Sequence, residues 1–154
     1  MREFLKHITA GAAGLVLIVT MVPGRAEEPQ SAAETYQDIE ATLGAVPSFF
    51  TLFPESGIAG AWSEFKGIQL NPGSALSGKE KELIGLAVAA QIPCEYCIYF
   101  HTKAAMLNGA SEDEIKEAVA MAAIVRHWST VLNGMQVDPA RFRQELDNIL
   151  AAAK

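Results

Sequence analysis

The sequence predicts an all-α protein, a compact bundle of about six helices. Three sites match the S-x-x-E capping box that begins a helix, namely Ser31 with Glu34, Ser77 with Glu80, and Ser111 with Glu114. Within residues 112–132, apolar side chains recur at spacings of three and four residues, which indicates a helix with one buried face. No segment shows clean two-residue alternation bounded by hairpin turns, so nothing in the pattern favours a sheet.

The first part of the chain is predicted to hold two helices joined by an apolar connector. The first helix, 32–43, follows the Ser31 cap, and Gly44 stands where a helix closes in a left-handed turn. Residues 46–54 (VPSFFTLFP) are expected to form a short connector, about one helical turn long. A second helix is predicted at 58–69.

The third and fourth helices meet at a proline. The third helix, 78–91, begins at the Ser77 cap and is stopped by Pro93. Because its residues from 83 to 90 are apolar nearly all round, we expect it to be deeply buried. Cys94 then falls at the start of the fourth helix, 95–108, so this helix should begin beside the core.

The fifth and sixth helices complete the bundle. The fifth, 112–132, is expected to bury one apolar face, formed by Ile115, Ala118, Val119, Ala122 and Val125. Gly109 and Gly134 are expected to close the fourth and fifth helices in left-handed turns. The sixth helix, 139–152, starts with Asp138 as N-cap and Pro139 at its first position.

The N-terminus has the layout of a secretory signal peptide. Arg2 and Lys6 precede an uncharged apolar run at 8–22, and small residues at 24 and 26 favour cleavage after Ala26. The run is shorter than the roughly 20 apolar residues of a membrane-spanning helix. We therefore expect residues 1–26 to be a signal peptide, 27–45 a lead-in with the first helix, and 46–154 the main domain of a periplasmic or secreted protein.

The charge of the chain excludes several classes of partner. The full sequence of 154 residues carries a formal net charge of −6. Cleavage after Ala26 would remove three basic residues and one acidic residue, which leaves 128 residues and a net charge of −8. An acidic chain without a basic stripe is a poor candidate for nucleic acid or for an anionic membrane surface.

The stretch at 94–101 (CEYCIYFH) holds both cysteines of the chain and one of its three histidines. A disulfide is possible, since helix positions three apart lie about 5–6 Å from each other, but so short a loop stabilises by only about 2 kcal/mol. Cys94, Cys97 and His101 are also acceptable zinc ligands. A structural zinc site would need a fourth ligand, such as His127 or a carboxylate, and the chain has no second ligand pair.

A redox interpretation uses more of the stretch. The N-terminus of the fourth helix should favour a thiolate at Cys94, and His101 lies one turn past Cys97 on the same face. One cysteine could then attack a substrate and the other resolve it as a disulfide. The helix terminus favours Cys94 as the more acidic thiol, whereas the imidazole favours Cys97. Tyr96 and its aromatic neighbours are expected mainly to pack, although the Tyr96 hydroxyl lies between the thiols in sequence.

Glu82 extends the stretch into a motif of four residues, E-x11-C-x-x-C-x3-H. With its flanks, LSGKEKEL at 76–83 and NGASEDEI at 108–115, the motif resembles the carboxymuconolactone decarboxylase superfamily, in particular its alkylhydroperoxidase-D-like thiol branch. The resemblance implies an all-α fold that assembles into trimers or hexamers and reduces hydroperoxides or disulfides without a cofactor. It also implies that Cys97 attacks the peroxide, that Cys94 resolves, and that Glu82 and His101 relay protons.

One residue departs from the pattern that the resemblance implies. The well-studied member of the branch has a histidine immediately before its second cysteine, where this chain has Tyr96. A tyrosine, with an ordinary pKa near 10, does not shuttle protons near neutral pH, so a shorter relay and slow peroxidase turnover are expected. Decarboxylation is disfavoured, because members that perform it generally do not rely on a CxxC pair.

The sequence thus predicts an exported, oligomeric thiol oxidoreductase that reduces hydroperoxides through Cys94 and Cys97. Its partners would be a hydroperoxide and a protein or small-thiol reductant, with no cofactor and no metal. Two alternatives stay open, a thiol–disulfide exchange protein without peroxidase activity and a zinc-binding or structural assembly subunit. His127 and Trp128 in the fifth helix could line a pocket or an interface, but simple packing is the expectation.

Overall fold

The computed structural model describes residues 30–153, and within this range the chain forms six α-helices and no strand. The helices are α1 (Ala32–Leu43), α2 (Glu55–Glu64), α3 (Gly78–Gln91), α4 (Glu95–Leu107), α5 (Glu112–Gly134) and α6 (Pro139–Ala152). A 3₁₀ turn at Ser48–Leu52 precedes α2, and a π-helical turn at Phe65–Gln69 continues it. The all-α prediction is confirmed for these residues, whereas the predicted signal peptide lies outside them.

The helix starts follow the local sequence. Ser31, Ser77 and Ser111 each accept the backbone N–H of the glutamate three residues later, and each glutamate side chain returns to the serine backbone. These reciprocal bonds satisfy N–H groups that have no partner within the helix, so the three predicted capping boxes are confirmed.

Two of the three predicted glycine stops are confirmed, and the third is wrong. Gly44 and Gly109 adopt φ of 82° and 83°. Helix α5 instead continues through Gly134, and Gln136 takes the left-handed conformation at φ 51°. The N–H groups of Gln136 and Val137 reach back to the carbonyls of Asn133 and Leu132, which satisfies the open carbonyls of the last turn.

Helix α2 begins three residues earlier than the predicted 58–69, and its last part is not α-helical. The carbonyl of Pro54 accepts the N–H groups of Gly57 and Ile58, so the helix starts directly after the proline. At the other end, the N–H of Leu70 bonds to the carbonyl of Phe65, five residues back. This wider turn changes the direction in which the side chains of 65–69 leave the helix.

The largest buried cluster lies between α1, the 3₁₀ turn and α2. It consists of Ile39, Phe50, Ile58 and Trp62. The ring of Trp62 meets Phe50 edge-on and stacks on Phe65, which joins α2 to the π turn. The predicted apolar connector therefore supplies a core side chain, Phe50, as well as linking two helices.

Helix α3 packs against both α4 and α5, but it is less buried than predicted. Its buried residues are Glu82, Leu86 and Ala89, while Ile84 and Val88 on the other side are about half exposed. Helix α5 buries only Ala122 fully, and Val125, which was expected on the buried face, is 62% exposed. The apolar patterns of α3 and α5 therefore overstated how much of each helix the described residues bury.

Helix α6 has no buried residue. Its apolar stripe, formed by Phe142, Leu146, Ile149 and Leu150, is exposed. None of the helices between residues 30 and 153 is both long and apolar enough to cross a bilayer.

Asp38 on α1 ties the N-terminal helices together. Its carboxylate accepts hydrogen bonds from the Lys66 ammonium at 2.7 Å and from the buried Trp62 indole at 2.7 Å. The Lys66 hydrogen bond, followed by the Trp62 bond, holds the pKa of Asp38 below its usual value. A carboxylate with a lowered pKa in the folded state adds stability above its unfolded pKa, and this contribution is lost as the pH falls through the folded value.

We expect Asp38→Asn to flatten the acid dependence of stability, because the amide keeps an acceptor for Trp62 but loses the titrating charge. Urea unfolding between about pH 7 and about pH 3 should show a smaller loss of unfolding free energy for the variant than for the parent. Asp113→Asn, which removes the same charge from an exposed ion pair with Lys116, is the control. Parallel curves for the Asp38 variant and the parent would contradict the expectation.

Candidate active site

The two cysteines form a disulfide at the N-terminus of α4. Their Cα atoms are 5.3 Å apart, within the distance that the CxxC spacing predicts. Cys94 is the N-cap residue, and its Sγ accepts the backbone N–H of Cys97 at 3.2 Å. Its own N–H is held by the carbonyl of Ala89 in α3. The sulfur atoms thus lie at the positive end of the α4 dipole, which favours a thiolate after reduction.

Glu82 and His101 form a hydrogen-bonded pair between α3 and α4. The distance from His101 Nδ1 to Glu82 Oε2 is 2.7 Å, and the side chains are only 19% and 4% exposed. A buried carboxylate is costly unless hydrogen bonds compensate its lost hydration. Glu82 is therefore not one of the solvated charges that are usual in a first helical turn, and its position requires the contact with His101.

A second donor to Glu82 comes from the π turn. Gln69 Nε2 lies 3.2 Å from Oε1 and 3.4 Å from Oε2 of the carboxylate. Sequence reasoning missed Gln69, because the irregular turn that brings it to Glu82 has no signature in the apolar pattern. Both carboxylate oxygens have partners, which fixes the face that Glu82 presents to His101.

Gly85 provides the space for the imidazole. Gly85 lies three residues after Glu82, about one turn along α3. A Cβ atom placed on Gly85 would overlap three ring atoms of His101, namely Cε1, Nδ1 and Nε2. Sequence reasoning missed this residue as well, although its spacing from Glu82 places both on one helix face. The absence of a side chain at 85 is therefore a condition for the Glu82–His101 contact.

An apolar cavity of about 650 Å³ opens onto the disulfide. It is lined by Phe49, Leu52, Phe65, Cys94, Tyr96, Cys97, Phe100 and His101. The thiol pair and the imidazole thus border the same space, with aromatic rings around them. A site of this kind can exchange protons at the imidazole and electrons at the sulfur atoms while holding an apolar molecule.

The structure brings Glu82, His101, Cys94 and Cys97 together on the facing sides of α3 and α4. Tyr96 lies beside these four residues, but within residues 30–153 it lacks the hydrogen bonds that a proton-relay residue would make. Its side chain is 90% exposed, and among the described residues its hydroxyl makes no hydrogen bond. The Tyr96 ring forms part of the cavity wall. Trp128 and its neighbour His127, on α5, contact each other and do not line this cavity.

The described part of the chain contains no group of three or more histidine, cysteine, aspartate or glutamate side chains placed to hold a metal ion. Both sulfur atoms are engaged with each other, so neither is available as a thiolate ligand in this state. Nothing in the geometry of residues 30–153 supports the zinc alternative.

Comparison with known proteins identifies relatives of this region. The family model described as the carboxymuconolactone decarboxylase family matches residues 57–138, more than half of the chain. The match covers α2 to α5 and includes all four residues of the motif. It begins after the 3₁₀ turn, so Phe49 and Leu52 of the cavity lie outside it.

Curated relatives match over shorter segments. A protein from Paracoccus denitrificans, "Uncharacterized protein 4 in cox locus", is 42% identical over 52 residues, which are 34% of this chain and 47% of that protein. "Alkyl hydroperoxide reductase AhpD" of Anaeromyxobacter dehalogenans is 41% identical over 58 residues, which are 38% of this chain and 31% of that protein. The chain thus spans less than half the length of these relatives.

A solved structure has the same fold. The alkylhydroperoxidase AhpD core from Rhodospirillum rubrum superposes with a TM-score of 0.62 at 26% sequence identity. The superposition covers 72% of this chain and 85% of that one.

We expect Gly85→Ala to destabilise the fold by roughly 1–3 kcal/mol, the usual cost of overpacking a filled site, because the new methyl group must displace His101. Gly60→Ala is the matched control, since a Cβ atom at this α2 position meets no atom within 4 Å. It should be neutral or stabilising by about 0.5–1 kcal/mol. Urea unfolding of both variants measures the difference, and an unchanged midpoint for Gly85→Ala would show that the imidazole has room to move.

Proposed function

Since this chain belongs to the carboxymuconolactone decarboxylase family, we propose that it is a thiol-dependent oxidoreductase that reduces hydroperoxides through Cys94 and Cys97. One observation carries the proposal. The disulfide and the imidazole of the Glu82–His101 pair border the same apolar cavity. A redox couple, a proton-accepting group and a space for substrate are the parts that such a reaction needs.

The first step is attack by reduced Cys97 on the hydroperoxide. His101, one helical turn away, accepts the Cys97 proton, and Glu82 orients the ring and stabilises the imidazolium. The thiolate attacks the terminal peroxide oxygen, the O–O bond breaks, and the alkoxide leaves as an alcohol after it takes a proton from His101. Cys97 is then a sulfenic acid, oxidised by two electrons.

The second step forms the disulfide seen in the structure. The Cys94 thiolate attacks the Cys97 sulfur, and the sulfenic hydroxyl leaves as water with one proton. A dithiol or two thiols of a reductant must then return two electrons and two protons. The N-cap position stabilises Cys94 as a thiolate, and the more stable thiolate is the better leaving group. This favours Cys97 as the disulfide sulfur that the reductant attacks, with Cys94 as the leaving thiolate.

The compartment in which the protein is located determines how much it depends on that reductant. Export, which the N-terminal pattern predicts, would place the couple where disulfides form readily, so turnover would depend on a dedicated electron donor. The same geometry would serve thiol–disulfide exchange without a peroxide. This second candidate rests on the disulfide and uses the Glu82–His101 pair only to form the Cys97 thiolate, with no alkoxide to protonate.

A single experiment separates the two candidates. We expect reduced protein, mixed with cumene hydroperoxide in a stopped-flow instrument, to lose both thiols for each hydroperoxide consumed. Cys97→Ser should not react, and Cys94→Ser should stop at a sulfenic acid that dimedone traps. Glu82→Gln should be slower by about 10²–10⁴-fold, the usual contribution of general acid–base catalysis.

Glu117→Gln, an exposed carboxylate on α5, is the control for the loss of charge. Oxidation of Cys97→Ser at the parental rate would refute the assignment of the attacking thiol. Protein that ignores hydroperoxides but oxidises rapidly with a disulfide such as cystine would replace the peroxidase proposal with the exchange candidate.

We also propose that the chain functions as a homo-oligomer, a trimer or hexamer as its family resemblance implies. Helix α6 supports this, because the described residues leave its apolar stripe of Phe142, Leu146, Ile149 and Leu150 between 41% and 64% exposed. Large exposed apolar surfaces of this kind mark interaction sites. The half-exposed apolar residues of α5, among them Val125 and Trp128, supply a second such surface.

Leu146→Glu with Ile149→Glu should therefore reduce the mass in solution to that of one chain, measured by light scattering after size exclusion. Gln144→Glu with Asn148→Glu adds the same charge to the opposite face of α6 and should leave the assembly intact. Circular dichroism checks that both variants stay helical. Equal masses for the two double variants would remove α6 from the interface.

A further inference from the structure

The cavity at the disulfide is one end of a longer apolar trough. A second cavity of about 590 Å³ adjoins it and shares the side chains of Phe49, Tyr96 and Phe100. Its remaining lining residues come from α4, namely Glu95, Tyr99, Lys103, Ala104 and Leu107. We call the combined space the α4 trough. It runs along the exposed flank of α4 from the disulfide to the end of the helix.

The opposite wall of the trough is built by the 3₁₀ turn. Phe49 and Leu52 are 58% and 84% exposed, although both are large and apolar. Their position is fixed, because Phe50 between them is buried in the core and its ring contacts Phe49. The turn therefore presents two large apolar side chains to the open trough, as the wall of a ligand-binding groove does.

The two charged residues that line the trough have opposite signs and lie at different positions along α4. Glu95 and Lys103 are its two charged lining residues. Eight residues separate them, which is about 12 Å along the helix axis. Glu95 directly follows Cys94 of the disulfide, and Lys103 lies about two helical turns further along α4, before Leu107 at the end of the trough. The Lys103 ammonium lies 5.9 Å from the centre of the Tyr99 ring and forms no ion pair with the described residues.

This polarity orients an anionic ligand. A carboxylate is repelled by Glu95 near the disulfide and attracted by Lys103, about 9 Å along α4 from Cys97. The apolar body of such a ligand would then lie on Phe49, Tyr96 and Phe100, and its other end would reach the sulfur atoms.

We propose that the substrate is an amphipathic organic hydroperoxide with a carboxylate, separated from the peroxide by several carbon atoms, as in a hydroperoxide of a long-chain fatty acid. The inference rests on the proposed function and names its substrate class. The carboxylate is unchanged in the reaction, and the peroxide is reduced to the alcohol and water while the two thiols become the disulfide. Hydrogen peroxide is too small to contact the walls of the trough. A neutral organic hydroperoxide contacts the apolar walls but gains nothing from the charge of Lys103.

The test compares three oxidants on reduced protein, below the micelle concentration. These are a hydroperoxide of linoleic acid, its methyl ester and hydrogen peroxide. We expect the acid to react faster than the ester by about 2- to 5-fold, the range of an exposed ion pair, and the ratio to fall as salt is added. Lys103→Gln should bring the ratio to one, and Lys103→Arg should keep it.

Two further variants locate the effect. Lys116→Gln removes the same charge from α5, where Lys116 pairs with Asp113, and should leave the acid-to-ester ratio as in the parent. Phe49→Ala removes a wall of the trough, so it should lower the rate with either organic hydroperoxide relative to hydrogen peroxide by about tenfold.

The outcomes separate this inference from the proposed function. An acid-to-ester ratio of one in the parent, or a ratio that Lys103→Gln leaves intact, overturns the substrate class while peroxidase activity stands. A change of assembly mass in Phe49→Ala would assign the trough to a second copy of the chain and overturn the inference too. If no hydroperoxide reacts, the proposed function fails. In that case, calorimetry with linoleic acid and the oxidised protein decides whether the trough binds this ligand. Binding that Lys103→Gln weakens would support the ligand class, and an absence of binding would overturn it.

Discussion

The hydrogen bond between Glu82 and His101 is the interaction on which the arrangement of the other site residues depends. It places a carboxylate in the interior, and a carboxylate there must have partners for both oxygens. The imidazole satisfies one side, which requires α3 and α4 to approach closely and position 85 to have no side chain. Gln69 satisfies the rest, and it reaches Glu82 from a turn that widens into a π-helix. The π turn after α2 and Gly85 in α3 thus both allow hydrogen-bond partners to reach the buried carboxylate of Glu82.

The sequence predicts the helices better than it predicts their surroundings. The capping boxes at Ser31, Ser77 and Ser111 depend on side chains only three residues apart, so the local pattern is enough to locate the helix starts. The π turn and Gln69 depend on a residue 13 positions away, and no local pattern records that contact. Likewise, the spacing of Cys94, Cys97 and His101 predicts a shared face of α4, while the wall formed by Phe49 appears only when the 3₁₀ turn folds back.

The position of the disulfide separates redox chemistry from stability. It joins the N-cap of α4 to a residue in its first turn, and so short a loop constrains the unfolded chain by only about 2 kcal/mol. The main buried cluster lies elsewhere, between α1, the 3₁₀ turn and α2. We therefore expect the helices and their core contacts to stay in place when the sulfur–sulfur bond is reduced, so that the proposed redox cycle would need no partial unfolding.

The polar part of the site is contained in one stretch of chain, from Gln69 to His101. The α3–α4 hairpin and the turn before it bring its side chains together without help from α1 or α6. Contacts between residues close in sequence form with a small loss of chain entropy and favour rapid folding. We therefore expect the site to assemble early as the chain folds, before the N-terminal helix docks or any neighbour covers α6. The 3₁₀ turn joins it from outside this stretch, so the wall formed by Phe49 and Leu52 can change in sequence without altering the contacts among Gln69, Glu82 and His101.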